Sequence, residues 1–489
     1  MVGRKIPNAA LTPPSKSLFR GASRAKTIAA YAAMIVIAIA LFVLIRSYGE
    51  QFPAPPRAQA GDVPPRPLAD GDVLAQVLLS LAVIVLMARL VGRAVEKYLR
   101  QPPVMGEILA GIMLGPSVLA ALSPEAYTLL LPQEAAPYLG IVAKLGVVLF
   151  MFLVGVELDA SPIRRHPHST LAISHASVIV PFVLGAALAL LLYPSYSTRG
   201  TSFTVFSLFI GVSMSVTAFP VLARILKDRR MQQTPLGITA IACAAVDDAT
   251  AWCLLAFVSG VAVAEPGQGL TTAVWVGAFV VGMFVVVRPF VRWLTARVET
   301  AESVTPTTFA VVMGVMLLSA VATQSIGIHA LFGAFLFGTF IPHHSRLAAH
   351  IHVRVQDLVA VLLLPIFFAF TGMRTQIGLL GTAADWIYCA LIVLVATLGK
   401  FGGSAVAARL SGLGWRDASA IGVLMNTRGL MQLIVLDVGL DMGILSPTLF
   451  AMLIIMALVT TFATMPALDL LMGKREDAVA ANPAANSAV

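Results

Sequence analysis

The stretch ACAAVDDATAW, residues 242–252, places two adjacent aspartates inside an apolar segment that runs from about residue 236 to residue 263. At 1.5 Å of rise per helical residue, Asp247 and Asp248 lie roughly 17 Å into that segment, near the middle of a bilayer. Two neighbouring carboxylates cannot both be ionised cheaply at that depth, so we expect one of them to hold a proton. Such a group could bind a proton and a cation in turn, although a satisfied structural pair is the other interpretation.

The composition places this segment in a membrane protein. The chain has 489 residues, of which 58% are hydrophobic and only 12% charged, and its mean hydropathy is +0.89. A soluble domain carries about twice that charged fraction. Fourteen apolar segments predict an all-α polytopic membrane protein, and they lie near 27–45, 73–91, 104–121, 139–157, 171–193, 204–223, 236–263, 271–290, 306–324, 327–342, 357–373, 385–408, 418–438 and 448–471.

The net charge of +9 would suggest nucleic acid in a soluble protein, but here it indicates the positive-inside bias. Loops rich in Lys and Arg alternate with loops poor in bases, such as 122–138 and 264–270. Fourteen crossings put all the basic loops on the side of both termini, which predicts an inner-membrane protein with cytoplasmic termini. The cysteines, read as small buried hydrophobes without metal-ligand spacing, are Cys243, Cys253 and Cys389.

The sequence predicts five regions. They are a basic cytoplasmic tail (1–26), an extra N-terminal transmembrane anchor (27–45), a Pro-rich external linker (46–72), a transmembrane domain (73–472) and a short cytoplasmic tail (473–489). A small-x-small sequence, Ala58-Gln59-Ala60, raises the alternative of a cleaved signal peptide. It lies well beyond the apolar run, which favours a retained helix and a chain that starts near Met1.

Two halves of the transmembrane domain resemble each other. EILAGIMLGP (107–116) is similar to GAFLFGTFIP (333–342), and FMFLVGVELD (150–159) is similar to FFAFTGMRTQ (367–376). The predicted orientation makes the paired segments run in opposite directions. This pattern predicts inverted repeats at about 73–263 and 306–472, an architecture of many secondary transporters.

Two segments look broken. The first, SMSVTAFPVLARIL (213–226), carries the polar or helix-breaking residues Ser213, Ser215, Thr217 and Pro220. Pro220 removes a hydrogen bond and disfavours helix at Phe219, unless it is only a harmless kink. The freed carbonyls and the hydroxyls are hard oxygen ligands that suit Na⁺ or K⁺.

The second, GVLMNTRGLMQLIVLDVG (422–439), places Asn426, Thr427 and Arg428 in mid-membrane beside Gly429. Two discontinuous helices at corresponding places in two repeats predict the ion site of a transporter. Arg428 is always charged, so exposed carbonyls or an acid must compensate it.

Lys400, in TLGKFGG (397–403), is another buried charge. It could pair with an aspartate, or give up its proton in apolar surroundings and so carry protons. Its depth argues against the alternative that it snorkels to an interface.

Weaker candidates lie near the cytoplasmic side. Glu107 and Glu157 are predicted near helix ends, where they could line an inner vestibule or be ordinary interfacial carboxylates. One loop holds four histidines, for which a pH-sensing role competes with a merely solvated loop: His343, His344, His350 and His352.

With these residues in view, the chain resembles the cation:proton antiporter-2 family, and within it the plant cation/H⁺ exchangers and their bacterial relatives. Six stretches match in the family's order and cover about residues 73–472: EILAGIMLGP (107–116), SVTAFPVLARIL (215–226), AAVDDATAW (244–252), GAFLFGTFIP (333–342), PIFFAFTGM (365–373) and MNTRGLMQLIVLDVG (425–439). The resemblance implies an inverted-repeat Na⁺/H⁺ antiporter fold of thirteen helices with an external N-terminus. The extra first segment would make fourteen and move the N-terminus inside.

The resemblance also implies roles. Asp248 would bind Na⁺ or K⁺ and a proton alternately, and Thr217 would lie where the unwound helix contributes to that site. Asp247 stands where electroneutral relatives carry Asn and electrogenic ones Asp, and Lys400 resembles the lysine that pairs with it. Plant exchangers commonly carry Asn at this position, so their ion preference and coupling need not carry over. No long regulatory tail follows residue 472, so nucleotide gating is not expected.

These features predict a secondary transporter, without enzymatic activity or cofactor, that exchanges Na⁺ or K⁺ for protons by alternating access, and we expect a homodimer. A proton- or sodium-coupled carrier of an organic solute and a cation channel on the same fold are the alternatives. An intramembrane aspartyl protease would need aspartates on different helices and a Gly-x-Gly-Asp context, both absent from the pair in ACAAVDDATAW. The residues do not distinguish Na⁺ from K⁺, because selectivity depends on site geometry.

Overall fold

A computed structural model describes residues 24–52, 70–132, 134–157, 167–263, 269–300, 304–327 and 329–473, and within these ranges the all-α class is confirmed. The α-helices are α1 (Arg24–Gly49), α2 (Asp70–Ala94), α3 (Pro103–Leu114), α4 (Leu119–Leu122), α5 (Pro124–Leu130), α6 (Ala136–Glu157), α7 (Pro167–Tyr196), α8 (Phe203–Ser215), α9 (Phe219–Asp228), α10 (Pro235–Val263), α11 (Gly269–Gly282), α12 (Arg288–Thr300), α13 (Pro306–Ile326), α14 (Ala330–Thr339), α15 (Arg346–Leu358), α16 (Leu364–Met373), α17 (Ala383–Leu410), α18 (Trp415–Met425), α19 (Leu430–Asp441) and α20 (Pro447–Met472). Single π-helical turns follow α2, α11 and α15, and a 3₁₀ turn, Ile377–Leu379, precedes α17.

The apolar helices coincide with the predicted segments. In the described ranges, twelve helical stretches are long and apolar enough to cross a membrane, or thirteen if the bent pair α18–α19 is one span. With the short apolar helix α14, each of the fourteen predicted segments overlaps one of them. The segment predicted at 327–342 contains a helix of only ten residues, about 15 Å long and too short to cross by itself. The count of thirteen core crossings plus one stays a prediction.

The extra first helix packs against the first half of the domain. The Phe42 ring of α1 lies 5.8 Å from the Phe182 ring of α7, and the Thr204 hydroxyl of α8 donates to the Glu50 carboxylate over 2.7 Å. The tail up to residue 23, residues 53–69 with the candidate cleavage site, and residues 474–489 lie outside the described residues. The predicted region boundaries there stay predictions.

A tight crossing joins α3 to α16. A Cβ built at Gly111 would lie 2.1 Å from the Ala369 carbonyl oxygen, and one at Gly372 would lie 2.3 Å from the Ile108 carbonyl oxygen. Real Cβ atoms do not approach so closely, so glycine is required if the two backbones are to touch. On the other side of α3, a Cβ at Gly106 would lie 2.6 Å from the Cα of Gly92 in α2.

A second crossing joins α6 to α14 in the same way. A Cβ at Gly155 would lie 2.3 Å from the Phe335 carbonyl oxygen, and one at Gly338 would lie 2.4 Å from the Phe152 carbonyl oxygen. The similar stretches pair α3 with α14 and α6 with α16, so the two crossings are counterparts of each other, as two similar halves require. We call α2, α3, α6, α14 and α16 the scaffold. The repeat boundaries themselves stay a prediction.

These crossings predict a position-specific cost of adding one methyl group. Gly111→Ala should lower the free energy of unfolding by about 1–3 kcal/mol, because the backbones of α3 and α16 must separate. Gly314→Ala, in α13, is the matched control because nothing lies within 4 Å of its added Cβ, and it should be neutral or slightly stabilising. Thermal unfolding of the purified proteins measures both. Equal behaviour of the two variants would contradict the crossing geometry.

Candidate functional site

The first helix interruption lies between α8 and α9. Helix α8 ends at Ser215 and α9 begins at Phe219, with Pro220 in its first turn, where the missing N–H costs nothing. The expectation that Pro220 disfavours helix at Phe219 is therefore wrong, and the interruption falls at 216–218, just before it. Ser213 and Ser215, expected in the unwound stretch, lie in the last turn of α8.

The second interruption lies between α18 and α19, which are bent by 42° relative to each other. The Ala218 backbone N–H donates to the Thr427 carbonyl over 3.0 Å, and the Thr217 hydroxyl lies 3.3 Å from the Met425 carbonyl. The two non-helical stretches therefore touch. The sequence placed Thr217, Asn426 and Thr427 at such interruptions, and the structure brings them together.

The Asp247 carboxylate is surrounded by donors. Ser174 donates to one oxygen over 2.5 Å, while Thr217 donates to the other over 2.8 Å and the Lys400 ammonium lies 2.9 Å from that same oxygen. The Ser177 hydroxyl donates to it as well. Four donors therefore hold this fully buried carboxylate.

Lys400 does not reach an interface, so the snorkelling alternative is wrong. Its ammonium is fully buried and donates to the Ser215 carbonyl over 2.5 Å and to the Ser177 carbonyl over 2.9 Å, besides its contact with Asp247. These contacts use the three donors of an ammonium group. Ser177 thus serves both members of the pair, its hydroxyl bonding Asp247 and its carbonyl Lys400.

Arg428 is compensated by carbonyls rather than by an acid. Its guanidinium donates to the carbonyls of Met214 over 2.7 Å, Ser213 over 3.0 Å and Val216 over 3.3 Å. It also donates to the Gln432 side-chain oxygen over 3.0 Å. The interruption of α8 frees these carbonyls, because a helix end leaves its last carbonyls without helical partners.

The contacts of Arg428 and Lys400 revise one expectation. We expected the freed carbonyls of the first interruption to be cation ligands, but the carbonyls of Ser213 and Ser215 accept from these two protein cations. The Thr461 side chain holds Arg428 from the other side, since its oxygen accepts from the Arg428 backbone N–H over 2.9 Å and donates to the Arg428 carbonyl over 2.7 Å.

Asp248 differs from its neighbour. It is buried like Asp247, but one of its carboxylate oxygens has no hydrogen-bond partner. The side-chain oxygens of Ser213 and Asn426 are also buried without a partner. These three unpartnered oxygens belong to a carboxylate, a hydroxyl and an amide, all of which are hard donors. Among the described residues, no group of three His, Cys, Asp or Glu side chains could hold a metal ion.

Sequence reasoning missed Ser174 and Ser177. They stand three residues apart on α7 and so share one face, and an i,i+3 pair of serines inside a long apolar helix was the available signal. The weaker candidates lie elsewhere. Glu107 is 4.0 Å from Arg89, and Glu157 is 2.9 Å from His352, so the vestibule idea stays a prediction.

The cysteines and the remaining histidines add little to the site. Cys243 and Cys389 are buried, whereas Cys253 is exposed, which corrects the expectation that all three are buried. The His343 and His344 rings lie 3.8 Å apart. The sensing role of the histidine loop stays a prediction.

Comparisons with known proteins agree on one family. The family described as "Sodium/hydrogen exchanger, transmembrane" matches residues 78–469. The Na(+)/H(+) antiporter NhaS4 of Synechocystis sp. is 40% identical over 399 residues, which are 81% of this chain and 97% of that protein. The K(+)/H(+) antiporter 1 of Saccharomyces cerevisiae is 35% identical over 75% of this chain and 42% of its own length.

Other relatives extend this result. Cation/H(+) antiporter 18 of Arabidopsis thaliana is 35% identical over 85% of this chain, which spans about half, 51%, of that protein. Among solved structures, the sodium proton antiporter MjNhaP1 from Methanocaldococcus jannaschii at pH 8 superposes with a TM-score of 0.62 at 15% identity. The superposition covers 82% of this chain and 98% of that one, so the two share a fold.

The pair of Asp247 and Lys400 predicts that the effect of replacing Lys400 on stability depends on whether Asp247 is charged. Lys400→Met should lower the free energy of unfolding by about 3–5 kcal/mol, because it leaves Asp247 buried without its counter-charge. Adding Asp247→Asn should restore most of the loss, since no unpaired charge remains. Thermal unfolding of the purified single and double variants measures the two steps. A double variant no more stable than Lys400→Met would contradict the pairing.

Proposed function

Because the chain belongs to the sodium/hydrogen exchanger family, we infer that it is a secondary transporter that exchanges a monovalent cation, Na⁺ or K⁺, for protons across a membrane. Relatives named as Na(+)/H(+) and K(+)/H(+) antiporters support this activity, as does the shared fold. Neither the solute carrier nor the channel is favoured by these relatives. The observation that carries the site is the contrast between Asp247, whose carboxylate accepts from four donors, and Asp248, one of whose oxygens has no hydrogen-bond partner.

Asp248 is the group that takes the cation and the proton in turn. One of its buried oxygens has no hydrogen-bond partner and so can take either ligand, whereas Asp247 is already bonded to Lys400, Thr217 and two serines. A cation and a proton that compete for one carboxylate cannot be bound together. Exchange then follows without any separate coupling device.

Asp247 and Lys400 are the charge-compensating pair. Neither side chain reaches water in this conformation, so neither is stable as a lone charge. A cation that binds at Asp248 displaces the proton held there and breaks the pair of Asp247 and Lys400, and the freed lysine then releases a second proton. Two protons would then leave for each cation bound, and one net charge would cross per cycle.

Alternating access needs two bodies that move relative to each other. The site residues lie on α7 to α10 and on α17 to α20, which we call the site bundle, and they are joined by the contacts of Asp247, Lys400, Arg428 and Thr461. The scaffold is held together separately by its glycine crossings. We propose that the bundle carries Asp248 past the scaffold.

We also propose where the protein lies in the cell and how it is oriented in the membrane. The multi-pass character follows from the apolar helices, and the cyanobacterial relative supports an inner membrane. Cytoplasmic termini follow from the distribution of basic loops, with the end of α19 on the outside. The homodimer stays a prediction.

Asp248→Asn should abolish cation-driven proton movement while leaving folded protein in the membrane, because the amide cannot release a proton. Asp357→Asn, the same substitution at an exposed position of α15, should exchange like the parent protein. Proton flux in proteoliposomes after addition of Na⁺, K⁺, Li⁺ or Rb⁺ measures both and identifies the cation. Near-normal exchange by purified Asp248→Asn would refute the assigned role.

Exchange by the parent protein should respond to membrane potential, because one net charge crosses per cycle. Asp247→Asn leaves Lys400 without its counter-charge, favours the neutral amine, and should move exchange toward electroneutrality. Proteoliposomes with a clamped potential provide the measurement. Parent exchange rates that ignore the imposed voltage would show that Lys400 is structural and that the charge balance is wrong.

A further inference from the structure

A second group of charges lies where the site bundle meets the scaffold. The Arg374 guanidinium, just after α16, is 2.5 Å from the Asp437 carboxylate and 2.8 Å from the Asp441 carboxylate of α19. The Lys144 ammonium of α6 is 2.6 Å from the other oxygen of Asp441. Two scaffold cations thus bind two bundle carboxylates, and none of the four residues belongs to the ion site described above.

Helix α19 is attached to the bundle by its opposite face. A Cβ built at Gly439 would lie 2.3 Å from the Phe209 ring of α8, and the Thr198 hydroxyl donates to the carbonyl of Gly443 just beyond α19. Asp437 and Asp441 are four residues apart and share the face turned toward the scaffold. When the bundle moves, these carboxylates must move with it, away from Arg374 and Lys144.

The charges lie on the route from the site to the external face. Asp437 is about 10 Å along the axis of α19 from its first residue, Leu430, toward the end of α19 assigned to the outside. A small cavity lies beside them, and its apolar walls include Leu331, Phe367, Ile434 and Val438. His329 also faces this cavity.

The two ends of the boundary differ in exposure. At the cytoplasmic end, Arg224 of the bundle pairs with Glu96 of the π-helical turn after α2, and both side chains are 44% exposed. At the external end, the side chains of Asp437, Asp441 and Arg374 are 9%, 20% and 25% exposed, while that of Lys144 is 46% exposed. The Arg374 contacts are therefore largely removed from water, while Lys144 and the cytoplasmic pair are solvated.

We propose that Lys144, Arg374, Asp437 and Asp441 form an ionic lock that keeps the external entrance closed and opens as one unit when the bundle turns Asp248 outward. The proposal rests on the alternating access proposed above. Partly buried partners cannot separate until water replaces them, because a lone buried charge is costly. Neutralising one partner removes that penalty from the open state and places it on the closed state, so the equilibrium shifts toward opening.

Thiol labelling tests the lock without requiring transport. Ile434→Cys, buried in the cavity wall, is placed in a chain whose three native cysteines are replaced by alanine, and a membrane-impermeant maleimide is added from the external side. We expect slow labelling in this parent and labelling at least tenfold faster after Arg374→Gln. Arg224→Gln, the same change at the solvated end, is the matched control and should not accelerate labelling. A rate within twofold of the parent for Arg374→Gln would overturn the lock.

A double variant distinguishes a lock from local loosening. Asp437→Asn, added to Arg374→Gln, leaves no lone buried charge in that contact and should return the labelling rate toward the parent value. A double variant that labels as fast as Arg374→Gln alone contradicts the proposal. When Asp248→Asn is added to both proteins, Arg374→Gln should still label faster than its parent by the same factor. The lock can therefore be refuted without refuting the exchange mechanism, and the reverse also holds. If Arg374→Gln does not fold, Asp441→Asn is used in its place, because it neutralises the carboxylate that contacts both Arg374 and Lys144.

Discussion

The Lys400 ammonium and the Asp247 carboxylate lie 2.9 Å apart with neither side chain exposed, and much of the site exists to make that arrangement tolerable. An apolar membrane interior supplies no water to either charge, so every lone pair and proton needs a partner from the protein. Hydroxyls of α7 and the hydroxyl of Thr217 complete the shell of Asp247, and two carbonyls complete that of Lys400. The Nη groups of Arg428 meet the same requirement with carbonyls that are free because α8 ends where it does, while its Nε–H has no partner. The interruptions of the two helices are thus the source of the partners that buried cations need.

The two parts of the molecule share one kind of contact and differ in another. The scaffold brings backbones together at glycine crossings, where a single Cβ would intrude on a carbonyl. The site bundle has a close approach of its own, since a Cβ built at Gly403 would lie 2.8 Å from the Ala176 carbonyl oxygen, and it adds hydrogen bonds and ion pairs among polar side chains. Close packing of backbones resists relative movement inside each part, whereas a boundary that carries a few charged contacts can exchange them for water.

The apolar helices and several site residues could be predicted from the sequence, because single charged residues stand out inside apolar segments. A charge inside an apolar run is rare, so the candidate site residues can be recognised without knowledge of their contacts: Asp247, Asp248, Lys400 and Arg428. The apolar segments are equally visible, although α14 is shorter than its segment because the apolar run continues beyond the end of the helix.

The rest depended on contacts between distant parts of the chain. Serine is ordinary in membrane helices, so nothing in its own neighbourhood marks Ser177 as a partner of Asp247, 70 positions away. Arg374, Asp437 and Asp441 lie near helix ends, where charges need no explanation, and only the packing of α19 on the scaffold gives them meaning. Nor could the sequence say that the carbonyls freed by the first interruption are already occupied by Arg428 and Lys400.

The adjacency of Asp247 and Asp248 along one helix has an electrical consequence. A unit charge placed or removed at Asp248 acts on the two members of the neighbouring ion pair with opposite signs. At an effective dielectric constant near 20, two unit charges about 5 Å apart interact by about 3 kcal/mol, so the net effect on the pair is the smaller difference between two such interactions. Under the proposed mechanism, the ion pair therefore responds to whether Asp248 is ionised or is neutralised by a proton or a cation. No longer-range conformational coupling is needed for this response, because Asp247 and Asp248 are consecutive residues of one helix.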